Sequence, residues 1–400
     1  MDKFQAKRNL ILYGIFQALR EPLFWGPIII LYLQQMGHMS LSSIYLVESI
    51  TMLLLIVLQI PTGALADLLG RKNTMIIGSI LVVLDNVLFA LVDSLAMVLV
   101  ANLVWAVGFA FVSGADSSFL YDTLAVTGET EKYKKIEGRT TGIRLLLIAL
   151  TSIFVGYLAS VNLRLPVWLG IPGMVMALLV VCLMKEPPRP KHVNGEPAYR
   201  QHWSLMKLSV LFVANSKKLK WIIAYTVLLG VIGKAWFFTY NPYFEMLKLP
   251  LHYYGWIFFA VNVVAAIFSY GSDWLAKKLT EKTNVLGMVM LTGVPIILLS
   301  ALVYWPMVVL VLTQSMVRGH LRPFMGHFLH DHLDSENRAT VVSIQAAVDG
   351  FGQFAFFGIF GLALKAISLT TTLFGLGMFS LLLGGYLYVK YLKIFHPKAK

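Results

Sequence analysis

The chain has 400 residues, of which 58% are apolar and 13% charged, with 33 Lys and Arg against 20 Asp and Glu for a formal charge of +13. That composition has too few polar side chains to cover a water-soluble surface, so the chain is read as an integral membrane protein. Its one cysteine, Cys182, excludes a disulfide framework.

A span needs about 20 mostly apolar residues to cross about 30 Å of hydrocarbon. Twelve stretches meet that length, at residues 10–33, 42–66, 73–92, 96–124, 140–161, 166–184, 221–244, 252–275, 285–303, 305–328, 340–363 and 369–389. Helices are required, because backbone groups in lipid must be satisfied within the segment and nothing alternates with the period of a barrel strand. The first stretch is too long for a signal-peptide core and no small-residue cleavage site follows it, so it is read as the first helix.

With the N-terminus in the cytoplasm, 25 of the 33 Lys and Arg fall in cytoplasmic segments. Arg164, Lys248 and Lys365 fall outside, and Arg20, Arg144, Lys234, Arg318 and Arg322 lie within spans. This asymmetry places both termini inside and accounts for the basic balance, which removes a nucleic-acid reading of the charge. Residues 186–217 form the only long polar stretch, rich in proline, and divide six spans from six. The expected organisation is a helical bundle over 1–185, a cytoplasmic linker over 186–217 and a second bundle over 218–400. No Asn-x-Ser/Thr site exists and the external loops are short, for which a bacterial inner membrane is the simplest home.

Between the second and third spans lies Gly63-Ala64-Leu65-Ala66-Asp67-Leu68-Leu69-Gly70-Arg71-Lys72, and 206 positions later comes Ser269-Tyr270-Gly271-Ser272-Asp273-Trp274-Leu275-Ala276-Lys277-Lys278. A second pair repeats too: Phe119-Leu120-Tyr121-Asp122 with Gly138-Arg139-Thr140, and Phe328-Leu329-His330-Asp331 with Asn337-Arg338-Ala339-Thr340. The decapeptide resembles the loop signature of the major facilitator superfamily. The resemblance implies an all-α fold of twelve transmembrane helices in two pseudo-symmetric six-helix bundles, with substrate bound near mid-membrane between the halves. It further implies a cytoplasmic conformational latch built on Gly63, Asp67, Gly70, Arg71, Lys72 and Asp122, with Arg139, Asp273, Lys277, Asp331 and Arg338 as its counterparts. The second copy departs from the pattern, having Ala276 at the turn glycine and Ser269 at the leading one. Helix capping and topology alone also account for such charges.

Charges inside a membrane cost at least ~2.5 kcal/mol each and therefore mark functional sites by default. In the first half Arg20 and Arg144 face Glu21, Glu48 and Asp116, and the similar depths of Asp116 and Arg144 predict an ion pair. Tyr13, Gln17, Arg20, Glu21 and Phe24 form one stripe of the first helix, with Glu21 expected to lack a fixed partner. Asp85 with Asn86 is expected to be a satisfied contact between helices. In the second half Lys234, Arg318 and Arg322 outnumber Asp349, and Asn241, Gln345 and Gln353 add polar groups. Arginine forks suit carboxylates and phosphates, so Arg20, Lys234, Asn241, Arg318, Arg322, Gln345 and Asp349 are the expected substrate-binding set. A buried carboxylate can carry a proton, which makes Glu21, Asp116, Arg144 and Glu48 the proton-coupling set. Trp25, Trp105, Trp236, Phe237, Tyr240 and Trp256 are available as aromatic walls, although such residues mostly pack or anchor. His320, His327, His330 and His332 crowd one helix end at spacings that can share a metal, yet no cysteine or second cluster joins them, and no resident metal or cofactor is expected.

No Gly-x4-Gly-Lys-Ser/Thr loop binds ATP and no nucleophile stands at motif spacing to a base, so the expectation is a non-enzymatic, monomeric secondary transporter of a small organic anion or zwitterion. Protons are the expected coupling ion, by symport or antiport. The absence of the helix-5 Gly-Pro motif, which resembled drug antiporters carry, lowers the drug-efflux alternative. A metal-complex transporter of the same fold and a non-transporting receptor or scaffold are the other readings.

Overall fold

The computed structural model describes residues 1–188, 213–332 and 335–396, with all their side chains except those at 60, 64, 67, 327, 329–332 and 335–343. The helices are α1 (Lys3–Leu19), α2 (Ile29–Gln35), α3 (Leu41–Leu69), α4 (Arg71–Ala90), α5 (Leu95–Thr127), α6 (Tyr133–Val161) and α7 (Leu165–Leu183). They continue as α8 (Lys217–Met246), α9 (His252–Tyr270), α10 (Ser272–Lys278), α11 (Glu281–Ala301), α12 (Val311–His332), α13 (Ser335–Ala366) and α14 (Leu369–Phe395). Among the described residues there is no strand. Ten helices among the described residues are long and apolar enough to cross a membrane. The two other long ones are α1, with 17 residues, and α12, which carries Arg318, Arg322 and four histidines. Only the two ends of the polar stretch 186–217 fall within the described residues.

Two expected spans are not continuous. The first breaks between Leu19 and Ile29, because Pro22 disfavours the helical conformation at Glu21 and Pro27 does the same just ahead of α2. Thr151 of α6 donates to the carbonyl of Leu23 at 2.7 Å and holds the broken segment. The stretch 252–275 likewise divides at Gly271 into α9 and the short α10.

The helices pack into two compact units. The first comprises Met1–Ser40, Leu53–Gln201 and Pro250–Phe259, and the second Leu41–Met52, His202–Leu249 and Ala260–Lys400. In the first unit Tyr13, Phe16, Met75, Phe119, Leu120 and Val181 form a buried cluster. Here α4 and α5 approach through glycines: a Cβ on Gly78 would stand 2.6 Å from Val112 Cγ2 and 2.7 Å from the carbonyl of Gly108. Small residues let helices close on one another where lipid offers no hydrophobic drive. The second unit repeats the device between α11 and α14, where a Cβ on Gly377 would lie 2.9 Å from the Gly293 carbonyl. Its aromatic core gathers Trp221, Tyr225, Phe328, Tyr391 and Phe395, with the Trp221 indole donating to Leu387 O at 2.7 Å.

Candidate functional site

The break in the first span is where the first unit concentrates its charge. Arg20 caps α1 and pairs with the Asp116 carboxylate on α5, whose same oxygen accepts from the Gln17 amide at 3.0 Å. The other Asp116 oxygen accepts from the amide and hydroxyl of Ser117 at 2.6 and 3.3 Å. Glu21 is taken by Arg144 of α6 at 3.0 Å, with Arg20 at 3.9 Å. The expected Asp116–Arg144 pair is therefore corrected to Asp116–Arg20 and Glu21–Arg144, and Glu21 does have a fixed partner. The break after Leu19 turns Arg20 toward α5 and leaves Glu21 for α6. The two acids differ in access, with side-chain exposures of 5% for Asp116 and 36% for Glu21. Farther along α1, Gln17 also donates to Tyr13, which donates to Glu137 at 3.0 Å. The buried Nε atoms of Arg20 and Arg144 and the Trp25 indole nitrogen meet no acceptor among the described residues.

In the second unit Lys234 of α8 is not an open cation. Its ammonium lies 2.9 Å from Glu48 and donates to Gln353 at 2.9 Å, with Phe357 and Phe238 beneath it at 5.5 and 6.0 Å. Gln353 donates in turn to Asp349 at 2.8 Å. Two cations form no salt bridge among the described residues, although Arg322 stands close enough to Asp349 to feel its charge. Arg318 is exposed and donates to Asn262 of α9 at 2.9 Å, and Arg322, one turn on, is exposed as well. Asn241 is buried on α8, and Gln345 is half-buried on α13.

At the signature loop, Gly70 has φ of +102°, a conformation costly for any residue with a Cβ, which is why the turn needs glycine. The Glu186 carboxylate straddles the start of α4, accepting from the amides of Arg71 and Lys72 at 2.8 and 2.7 Å. Two orphan donors at the positive end of the helix are thereby satisfied. From that anchored turn Arg71 reaches Asp122 at 3.7 Å. Gly63 is half-buried, and Arg139, Asp273 and Lys277 are exposed. The side chains of Asp67, Asp331 and Arg338 lie outside the described residues. In the second copy the imidazole of His320 is buried between the Ser272 hydroxyl at 2.9 Å and Asn284 Oδ1 at 3.1 Å. Asn284 spends its amide hydrogens on the carbonyls of Leu279 and Thr280, so the proton sits on His320 Nε2. His320 therefore stands apart as a fastening between α10, α11 and α12, while the side chains of His327, His330 and His332 lie outside the described residues.

The model of the Major Facilitator Superfamily matches residues 10–356. The chain belongs to the Major Facilitator Superfamily. It is 28% identical over 244 residues to the uncharacterised MFS-type transporter YxaM of Bacillus subtilis (strain 168), covering 60% of this chain and 54% of that relative's length. Among solved structures it resembles the nucleoside transporter NupG, with a TM-score of 0.77, 14% identity and coverage of 99% and 100% of the two chains. A bacterial homologue of the human lysosomal transporter Spinster matches with a TM-score of 0.71, 14% identity and coverage of 99% and 98%. The D-xylose-proton symporter matches with 0.69, 12% and coverage of 97% of each chain. At such identities these likenesses show the fold alone. This major facilitator protein is thus a multi-pass membrane protein by family.

Several of its polar contacts had no signal in the spacing of the sequence. Glu137, Glu186, Asn262 and Asn284 each act across elements far apart in the chain, and only glutamate at the end of an apolar run hints at Glu186. Asp85 was expected to bridge helices, but the side chain that donates to it is that of its own neighbour, Asn86, at 3.4 Å, and its other oxygen is buried without a partner among the described residues. Of the aromatic candidates, Trp25 packs on Phe89 and Trp236 is buried against Tyr240 and Tyr243.

Proposed function

We propose that this major facilitator protein moves a small organic anion or zwitterion by alternating access, coupled to protons. The observation that carries the substrate class is the pair Arg318 and Arg322, two exposed guanidinium groups one turn apart with no carboxylate paired to either among the described residues. Planar forks at i and i+4 present parallel donors to a carboxylate or phosphate, and an unpaired cation at membrane depth is costly unless a ligand compensates it. The proton reading rests on Glu21, an accessible acid held by Arg144 and Arg20, whereas Asp116 is saturated by four donors and serves as the fixed counter-charge of Arg20. In this scheme both termini face the cytoplasm of a bacterial inner membrane, and the protein works as a monomer.

The test begins with a metabolite panel scored by the melting temperature of the purified protein. Arg318→Ala and Arg322→Ala should each weaken the ligand found by roughly tenfold or more, and Arg→Lys should restore only part of that, because lysine lacks the planar fork. A cationic substrate bound equally well by both alanine variants overturns the anion reading.

A further inference from the structure

Three consecutive residues of α12, Arg318, Gly319 and His320, are each set against a neighbour within the second unit. Gly319 lies on α9: a Cβ there would collide with the carbonyl oxygen of Ala265 and stand 3.0 Å from its Cα, so no larger residue fits at this approach. His320 is buried between Ser272 of α10 and Asn284 of α11. These two contacts fix α12 in height and azimuth, and Arg318 is thereby delivered to α9 one turn from Ala265. There its guanidinium donates to Asn262 Oδ1 at 2.9 Å. A guanidinium has no acceptor, so the oxygen of the Asn262 amide is the atom that faces it. Tyr240 of α8, itself buried, stands close enough to feel the Arg318 charge. The other arginines at membrane depth are met differently: Arg20 by Asp116, Arg144 by Glu21, and Arg322 lies within electrostatic reach of Asp349. Among the described residues, Arg318 alone of these four is met by an amide and no acid.

We infer that Asn262 is a positioning residue that sets ligand specificity: it holds the Arg318 fork in place and leaves the fork's charge to the carboxylate or phosphate of a ligand. The inference rests on the anion reading and deepens it. A long side chain that is free before binding loses rotamer freedom when a ligand arrives, and a fork held in advance avoids that loss. A carboxylate at position 262 would hold the fork more firmly, through charge-assisted bonds, but it would neutralise the cation and cover the edge that an anion needs. The Asn262 amide takes one donor of the guanidinium and none of its charge. Asparagine and aspartate have nearly the same shape, so one atom at this position decides between a closed ion pair and a site for an anion. Gly319 and His320 complete the arrangement, because they keep the backbone of α12 from carrying Arg318 away from α9.

The experiment follows Arg318 itself. Purified full-length protein is treated with phenylglyoxal, which attacks guanidinium groups and reacts slowly with one held in an ion pair. Modification of Arg318 is read by peptide mass spectrometry and divided by that of Arg8, an exposed arginine of α1, in the same sample. Asn262→Asp should lower the normalised rate roughly fivefold or more, with a melting temperature at or above the parent's, because the fork then closes on a carboxylate. Asn262→Ala should leave the rate at or above the parent's. Binding is measured with inorganic phosphate and with benzoate, as the concentration that halves Arg318 modification. That concentration should rise roughly tenfold or more in Asn262→Asp and only about threefold in Asn262→Ala. An asparagine that merely packs would give the opposite order, since aspartate keeps its shape and alanine does not. Protection that survives Asn262→Asp, or a larger loss in Asn262→Ala than in Asn262→Asp, overturns the role of Asn262 alone. Arg318 left unprotected by both probes in the parent overturns the anion reading, and this inference with it.

Discussion

At the scale of single residues, Asp116 and Glu21 show how two acids of one network take opposite duties. Asp116 accepts from Arg20, Gln17 and both donors of Ser117, so both of its oxygens are already engaged. Asp116→Asn strands the Arg20 cation, and removing one partner of a buried pair costs ~3 to 5 kcal/mol, so that variant should express poorly and melt well below the parent. Glu21→Gln likewise takes the carboxylate from Arg144, but the acid there is 36% exposed, so its drop in melting temperature should be smaller than that of Asp116→Asn. In proteoliposomes it should abolish accumulation driven by a pH gradient while preserving counterflow, which needs alternating access without net proton movement. Gradient-driven accumulation by Glu21→Gln would exclude it as the coupling acid. The sequence places these charges within spans but does not fix their partners. Partnership depends on azimuth, and the azimuth of Arg20 is set by the helix end at Leu19, three residues before Pro22.

At the scale of elements, the spans were legible because lipid imposes length and composition on each one independently, and the duplicated loops were legible because the turn at Gly70 needs a residue free to adopt positive φ. The break at Pro22 was visible as a proline, but hydropathy averaged over a span hides a backbone interruption. Glu186 was not legible as a cap, since 114 residues separate it from the Lys72 amide it accepts from. Glu186→Gln removes a charge-assisted cap, a loss of about 1 kcal/mol by the measure of helix N-caps. The expected result is a modest drop in melting temperature and a larger drop in transport, because the turn that aims Arg71 at Asp122 is no longer held. If transport falls only in proportion to the folded fraction, Glu186 is a cap and nothing more.

For the whole molecule, a transporter requires two states of comparable free energy, and residues that bias one against the other change function with little effect on folding. Asp67 is proposed as such a residue, on its place in the signature loop. Asp67→Asn should insert and express like the parent yet transport slowly, with the ratio of labelling at the two membrane faces shifted. An unchanged ratio would remove Asp67 from the latch.

The polar fastening of His320, Ser272 and Asn284 bears on how freely the two duplicated halves can still exchange parts. By the register that aligns Asp67 with Asp273, Asn284 corresponds to Gly78, where even a methyl group would collide with Val112 and the Gly108 carbonyl. The first copy keeps α4 and α5 within backbone reach at Gly78, and at the matching position of the second the Asn284 amide oxygen meets the imidazole of His320. Gly78→Asn would not carry the second copy's fastening into the first, whose signature loop is held instead by Glu186. The two copies, alike in their loops, are thus fastened by different chemistry, and exchanging side chains between them brings a clash at Gly78 in one and loses the His320 contact in the other.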